Sequence, residues 1–193
     1  MSSGELPKQA FSQSEASRAG IDSRKLYRLL EKQEIERISR GLYRRTDLPT
    51  VDLDLTEIAG RRSDATICLE SALAHHDLID AIPTRTDIAI PRGQKPVKTQ
   101  AAVDWHQFDR ATFQIGRTSL ATGDSGLDIG LYSAERSIVD AFRLRGATGY
   151  ETGIEALRNW LKHPTSQPAK LFEIARSLPR AIGPLRTALE ILT

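Results

Sequence analysis

Arg24, Tyr27 and Arg28 recur at the three- and four-residue spacing that places side chains together on one side of a helix. A guanidinium can fork onto a guanine edge, and Ser23, at the start of the same stretch, can reach a base or a phosphate. Lys25, Arg37, Arg40, Arg44 and Arg45 follow close in sequence. The chemistry these residues could do together is recognition of duplex DNA. Ser23, Arg24, Tyr27 and Arg28 would read the groove; Lys25 and the four later arginines would hold phosphates. An amphipathic helix also carries charges such as Arg24, Arg28 and Glu31 merely on its solvated face, so the surrounding elements have to decide.

Those elements lie within residues 11–45. Ser12 followed three residues later by Glu15 is a capping-box pattern opening a first helix, and Gly20 suits the left-handed conformation that closes it. Asp22 is placed to cap a second helix, with Ile21 and Leu26 as a hydrophobic staple. Leu26, Leu29, Leu30 and Gln33 share the inner side of that helix. IERISRGLYRR then reads as two short strands around a tight turn. Helix, glycine turn, helix and hairpin is the order of a winged helix-turn-helix. Residues 1–45 hold ten Lys/Arg against six Asp/Glu, a net of +4, whereas the remainder is net −2, so the basic excess coincides with this block. Only MSSGELPKQA precedes it, and Gly4 and Pro7 disfavour a long helix. The core is therefore completed by a very short helix, by the later domain or by a second copy of the chain.

The bulk composition bounds the rest. At 193 residues and 39% hydrophobic the chain can bury a proper core as one or two domains. One cysteine, Cys68, excludes an internal disulfide and a Cys-based zinc site within one chain. MSSGELPKQA lacks the apolar run of a secretory signal, and no stretch approaches the roughly twenty apolar residues of a membrane span. A soluble, cytoplasmic protein with no membrane partner is expected.

Pro49 and the short acidic run in TDLPTVDLDLTE mark a junction near Asp47, dividing residues 1–47 from 48–193. A helix follows Val51-Asp52-Leu53-Asp54-Leu55 and runs through about Arg61, and TICLESALAHHDLI reads as a second, largely buried one. TDIAIP, AAVDWHQFD, ATFQIG and GLDIGLYS read as strands of a mixed or antiparallel sheet, the first two joined by the basic loop PRGQKPVKT. SAERSIVDAFRLRG is helical, with Ser133 as N-cap and Gly146 as stop, and YETGIEALRNWLK carries Ile154, Leu157, Trp160 and Leu161 on its apolar side. Two more helices, over residues 169–178 and 182–192, close the chain. The fold class is α+β: a winged helix-turn-helix, then a mixed α/β C-terminal domain with a small sheet flanked by helices.

This longer part offers little catalytic chemistry. His75 and His76 are adjacent and match no metal-ligand spacing. Arg136 and Asp140, four apart, read as an intrahelical ion pair on a solvated face. Arg92, Lys95 and Lys98 could meet phosphates or an acidic partner. No enzyme, metal or cofactor is called for. A metal-dependent nuclease built on Asp87 and Asp104, with Lys95 and Lys98 nearby, is the catalytic alternative, and matches no defined motif. A transcription regulator whose C-terminal domain senses a ligand is another.

The run CLESALAHHDLIDAIPTRTDIAIPRG, with ERSIVDAFRLR and GYETGIEALR after it, resembles the AbiEi-type antitoxins of type IV toxin–antitoxin systems. The matching positions are Ser71, Ala72, Leu73, His76 and Leu78, residues 89–93, and Glu135, Arg136, Ser137, Ile138, Asp140, Phe142, Arg143 and Arg145. Leu26-Tyr27-Arg28-Leu29 and Arg40-Gly41-Leu42-Tyr43 match the winged helix of that family. His75 and Asp77 depart from it, standing where an apolar residue and glycine are expected. The resemblance implies a repressor of its own operon that binds upstream inverted repeats, as a possible homodimer on DNA, through the winged helix. It also implies a C-terminal domain that counteracts a nucleotidyltransferase-like toxin, with His76, Arg92, Arg136, Asp140 and Arg143 as candidate contact residues.

Overall fold

The computed structural model describes residues 6–48, 52–123, 126–144, 146 and 149–192. Gly4, Pro49, Val51 and Arg145, each used above, lie outside the described residues. The fold is α+β. It divides into two compact units, one formed by residues 1–65, 97–102 and 119–129, the other by residues 66–96, 103–118 and 130–193.

The first unit opens with β1 (Phe11–Ser12) and α1 (Gln13–Arg18), then α2 (Ser23–Glu31), β2 (Ile35–Ser39), β3 (Leu42–Arg45) and α3 (Leu53–Arg61). α1 carries a complete capping box: the Glu15 amide donates to Ser12 Oγ at 3.2 Å and the Ser12 amide to Glu15 Oε2 at 2.7 Å. Gly20, at φ 79°, closes α1 in a Schellman turn, its own amide on Ser17 O and that of Ile21 on Ala16 O. Asp22 then caps α2 by accepting from the Lys25 amide at 2.7 Å. α2 ends in a second Schellman turn, in which the Gln33 and Glu34 amides donate to Leu30 O and Leu29 O. Gln33 occupies its left-handed position at φ 56° and is exposed, so it is a cap and not part of the inner face. Being past the last helical residue, it no longer follows the helical period.

The expected shortfall before the helix-turn-helix is made up by a strand. Among the described residues no helix precedes α1; instead β1 pairs antiparallel with β3, Phe11 opposite Tyr43, in a three-stranded sheet ordered β1-β3-β2. That places Phe11 in one buried cluster with Ala16, Ile21, Leu26, Ile35 and Tyr43. A register shift between Arg37 and Ser39 marks a bulge in β2, and Arg40-Gly41 forms the two-residue tip, with Gly41 at φ 81°. In α3, Glu57 is buried; its Oε2 accepts from the Gln100 and Ala101 amides at 2.8 and 3.0 Å, and its Oε1 from Arg61 Nε at 3.0 Å. One carboxylate thereby draws residues 97–102 into this unit, which runs well beyond Asp47.

The second unit carries β4 (Thr66–Ile67), α4 (Leu69–His75), β5 (Thr86–Pro91), β6 (Val103–Phe108), α5 (Ala134–Arg143), α6 (Tyr150–Leu161), α7 (Pro168–Arg176) and α8 (Ile182–Leu192), with β7 (Arg117–Ala121) and β8 (Asp128–Tyr132) beginning or ending in it. The sheet order is β6-β5-β4-β8-β7. It is mixed: β4 is antiparallel to β5 and parallel to β8, and β5 is parallel to β6. Ile138, Phe142, Leu157, Trp160, Leu171 and Leu185 meet in the main helical core.

Three local expectations are corrected. Thr66 and Ile67 form a strand, so the helix read into TICLES begins only at Leu69. Its first turn has no capping side chain of its own; Asp87, from β5, accepts from the Ser71 amide at 3.3 Å in that role. ATFQIG is a run of turns, and the strand starts at Arg117. The Thr112 and Ile115 carbonyls, which a strand would give to a neighbour, accept from Arg136 Nη1 at 2.9 and 2.6 Å, while Phe113 is buried. α5 stops at Arg143, short of Gly146.

Candidate nucleic-acid interface

The two capped turns determine how α2 is presented. Ile21 and Leu26 are buried on either side of the Asp22 cap, so the opposite face of the helix, with Arg24, Tyr27 and Arg28, faces solvent. Tyr27 is 71% exposed, unusual for so large an aromatic side chain. Among the described residues the guanidinium groups of Arg24 and Arg28 have neither an ion-pair nor a hydrogen-bond partner. Ser23 sits at the helix N-terminus, where its Oγ accepts from Gln13 Nε2 at 3.1 Å. That link fixes the start of α2 against α1. Nothing in the ten-residue separation signals it in sequence. Nine residues of helix span about 13 Å, comparable to the width of the DNA major groove.

The wing arginines differ from one another. Arg40, at the hairpin tip, is exposed, as is Arg37, whose Nε donates to Ser39 O at 3.2 Å. Arg45 is clamped on Asp47, Nε to Oδ1 at 2.9 Å and Nη2 to Oδ2 at 2.5 Å; this hydrogen bond holds the Asp47 carboxyl below its ordinary range. Arg44 is 7% exposed, lies 2.5 Å from Glu36 Oε1 and donates to Leu48 O at 3.3 Å. Arg44 therefore braces the hairpin and does not offer its charge to solvent, a correction to its grouping with the phosphate-binding residues. The strand period explains it, since neighbouring Arg44 and Arg45 point to opposite faces.

The polar candidates of the second unit are scattered. His76 Nε2 donates to the Tyr132 carbonyl at 2.7 Å, so this histidine carries its proton on Nε2 and ties α4 to the end of β8. Arg136 and Asp140 are fully buried, not solvated. Arg136 Nε lies 2.9 Å from Asp140 Oδ2, and its Cζ 4.4 Å over the Tyr132 ring. Neither residue has surface to give a protein partner, so both leave the list of candidate contacts. Arg143, largely covered, bonds the other oxygen of Asp140 at 2.5 Å. Arg92 is the exposed one, 3.5 Å from Asp109.

The carboxylates of the nuclease alternative are engaged elsewhere. Asp87 Oδ1 accepts from His106 Nε2 at 2.7 Å while its other oxygen serves α4, and Asp104 pairs with Arg85 at 2.6 Å. Among the described residues no group of three or more His, Cys, Asp or Glu side chains could hold a metal ion. Nor does any described helix have the length and apolarity to cross a membrane.

Comparison with known proteins adds one finding. No curated protein matches the chain. Residues 8–46 match the model of a family described as "Transcriptional regulator, AbiEi antitoxin", a segment that starts three residues before β1 and ends one residue after β3. Over that segment, which holds α1, α2, the hairpin of β2 and β3 and both N-terminal motifs, the chain is similar to the AbiEi antitoxin transcriptional regulators.

Proposed function

We propose that the chain is a DNA-binding, autoregulatory antitoxin without catalytic activity of its own. One observation carries this reading. The family match falls on the block whose exposed helix face presents Arg24, Tyr27 and Arg28, the two arginines without a hydrogen-bond or ion-pair partner among the described residues. α2 enters the major groove, where Ser23, Arg24, Tyr27 and Arg28 read base edges and Lys25 holds a phosphate. Arg37 and Arg40 reach flanking phosphates from the wing. Two chains occupy an inverted repeat upstream of their own operon, with half-sites about 34–36 Å or a multiple apart, and repress it. Residues 48–193 counteract a nucleotidyltransferase-like toxin, as type IV antitoxins do, and Arg92 is the candidate contact with the surface to do so. A regulator whose second unit takes a small ligand is the alternative, favoured by a cavity in that unit.

Fluorescence anisotropy with the DNA upstream of the chain's own gene tests the first half. Arg24→Ala and Arg28→Ala should each weaken binding by about 1–3 kcal/mol and relax sequence preference. Arg40→Ala should weaken all sequences alike and reduce the slope of log K against log salt by about 1. Unchanged affinity in both helix variants would remove α2 from the groove. Growth of cells expressing the neighbouring toxin candidate, with or without the full chain, tests the second half; no rescue by soluble protein would refute neutralisation of that toxin.

A further inference from the structure

The second unit carries a half-open cavity of about 700 Å3 that DNA binding leaves unused. Its wall combines two aromatic rings, Trp105 and Phe108, with two guanidinium groups, Arg92 and Arg143. Both rings come from β6, which among the described residues is an edge strand of the sheet. Phe108 is buried and stacks on Tyr132 at 5.7 Å, whereas Trp105 is only half-buried and keeps ring surface available. Arg143 is held from behind: its Nε is bonded to Asp140 and its Cζ lies 5.4 Å over Phe108. Among the described residues no acceptor is bonded to its terminal nitrogens, which leaves its fork of donors unused. Arg92 faces the same space, with Asp109 as its counter-charge. His106, also in the wall, is turned to Asp87.

The size falls within the range of small-molecule sites, roughly 300–1,000 Å3. Leu69, in the same wall, is held at φ 47°, a conformation that a bulky residue adopts only where its surroundings impose it, and one that clusters at ligand sites. We infer that this cavity binds a planar aromatic anion, its ring against Trp105 and its anionic group held by Arg143 and Arg92. The anion displaces Asp109 from Arg92, so Asp109 limits affinity. Mononucleotides and aromatic carboxylates both carry this chemistry, and the volume admits either. The inference does not depend on the DNA-binding reading.

Isothermal titration of the full chain with AMP, GMP, CMP and UMP, and separately with benzoate, salicylate and indole-3-acetate, tests it. Adenosine and benzamide serve as neutral controls. Saturable binding by one set and not the other identifies the source of the ligand. Arg92→Ala, on an exposed side chain, should weaken binding by about tenfold, and Trp105→Leu by a similar factor. Asp109→Asn should tighten it. Absence of saturable binding by every anion, or equal binding by wild type and Arg92→Ala, would overturn the proposal. So would equal affinity for the neutral controls. If Trp105→Leu fails to fold, the Arg92 and Asp109 variants still decide.

Discussion

Replacing Arg136 with methionine keeps most of the apolar stem and removes the charge. In the folded protein Arg136 Nε bonds Asp140 at 2.9 Å, Nη1 bonds the Thr112 and Ile115 carbonyls, and the guanidinium lies over Tyr132. Breaking a buried ion pair from one side costs about 3–5 kcal/mol, because the remaining charge stays buried. Arg143 still holds Asp140, which favours the lower end of that range, while the two stranded carbonyls add about 1 kcal/mol each. The expected loss is therefore about 5 kcal/mol, a large share of the roughly 5–15 kcal/mol that holds a typical domain together. Urea unfolding followed by tryptophan fluorescence reads it well, since Trp105 and Trp160 both lie in the second unit. With a slope of about 2 kcal/mol per molar urea, the midpoint should fall by about 2.5 M. Pairing the change with Asp140→Leu removes the buried carboxylate that only Arg143 then holds and should recover about 1–2 kcal/mol. A midpoint shift under about 0.5 M, or a double variant as unstable as the two single losses summed, would refute the account of this ion pair.

Other expectations follow from the same geometry. Arg44→Ala should lower the melting temperature of the first unit, by about 1 kcal/mol in stability, since its partner Glu36 is half exposed; no change in thermal melting would return Arg44 to the DNA-facing set. Glu57→Ala strands the Gln100 and Ala101 amides and should cost about 3 kcal/mol, with proteolysis appearing first within residues 97–102; a variant as resistant as wild type would contradict this. The Glu15 carboxyl is pulled below the ordinary 4.5 chiefly by the Ser12 backbone amide and then by the Ser12 hydroxyl. Its contribution to folding is thus complete above that value and is lost as pH falls through the lower folded one. Replacing Glu15 with Gln should flatten acid melting monitored by circular dichroism in that window, and an unchanged acid limb would count against the capping box.

Local rules made the N-terminal block legible. Ser12 with Glu15, Gly20, Asp22 and Arg40-Gly41 act through bonds to residues two to five positions away, so the sequence window already contains both partners. The exposed face of α2 follows from the same logic, because helix period and the burial of Leu26 place Arg24, Tyr27 and Arg28 outward. Most helices of the longer part were legible too, their apolar spacing being strong over ten or more residues.

What escaped depended on partners distant in sequence. β1 exists because Phe11 lies opposite Tyr43, and a two-residue strand has no period of its own to read. Thr66 and Ile67 are a strand because β5 and β8 flank them. Residues 111–116 have strand composition, yet the Arg136 guanidinium takes their carbonyls. The spacing of Arg136 and Asp140 declared an ion pair but not its environment, since burial is decided by what packs over a helix face and not by the helix. The sequence by itself determined the capped helix-turn-helix and its outward cations, through short-range hydrogen bonds and periodicity. Only the tertiary structure decided which charges are buried, which arginines remain unengaged and where the second unit leaves a cavity, because each of those depends on residues that approach one another across tens of positions in the chain.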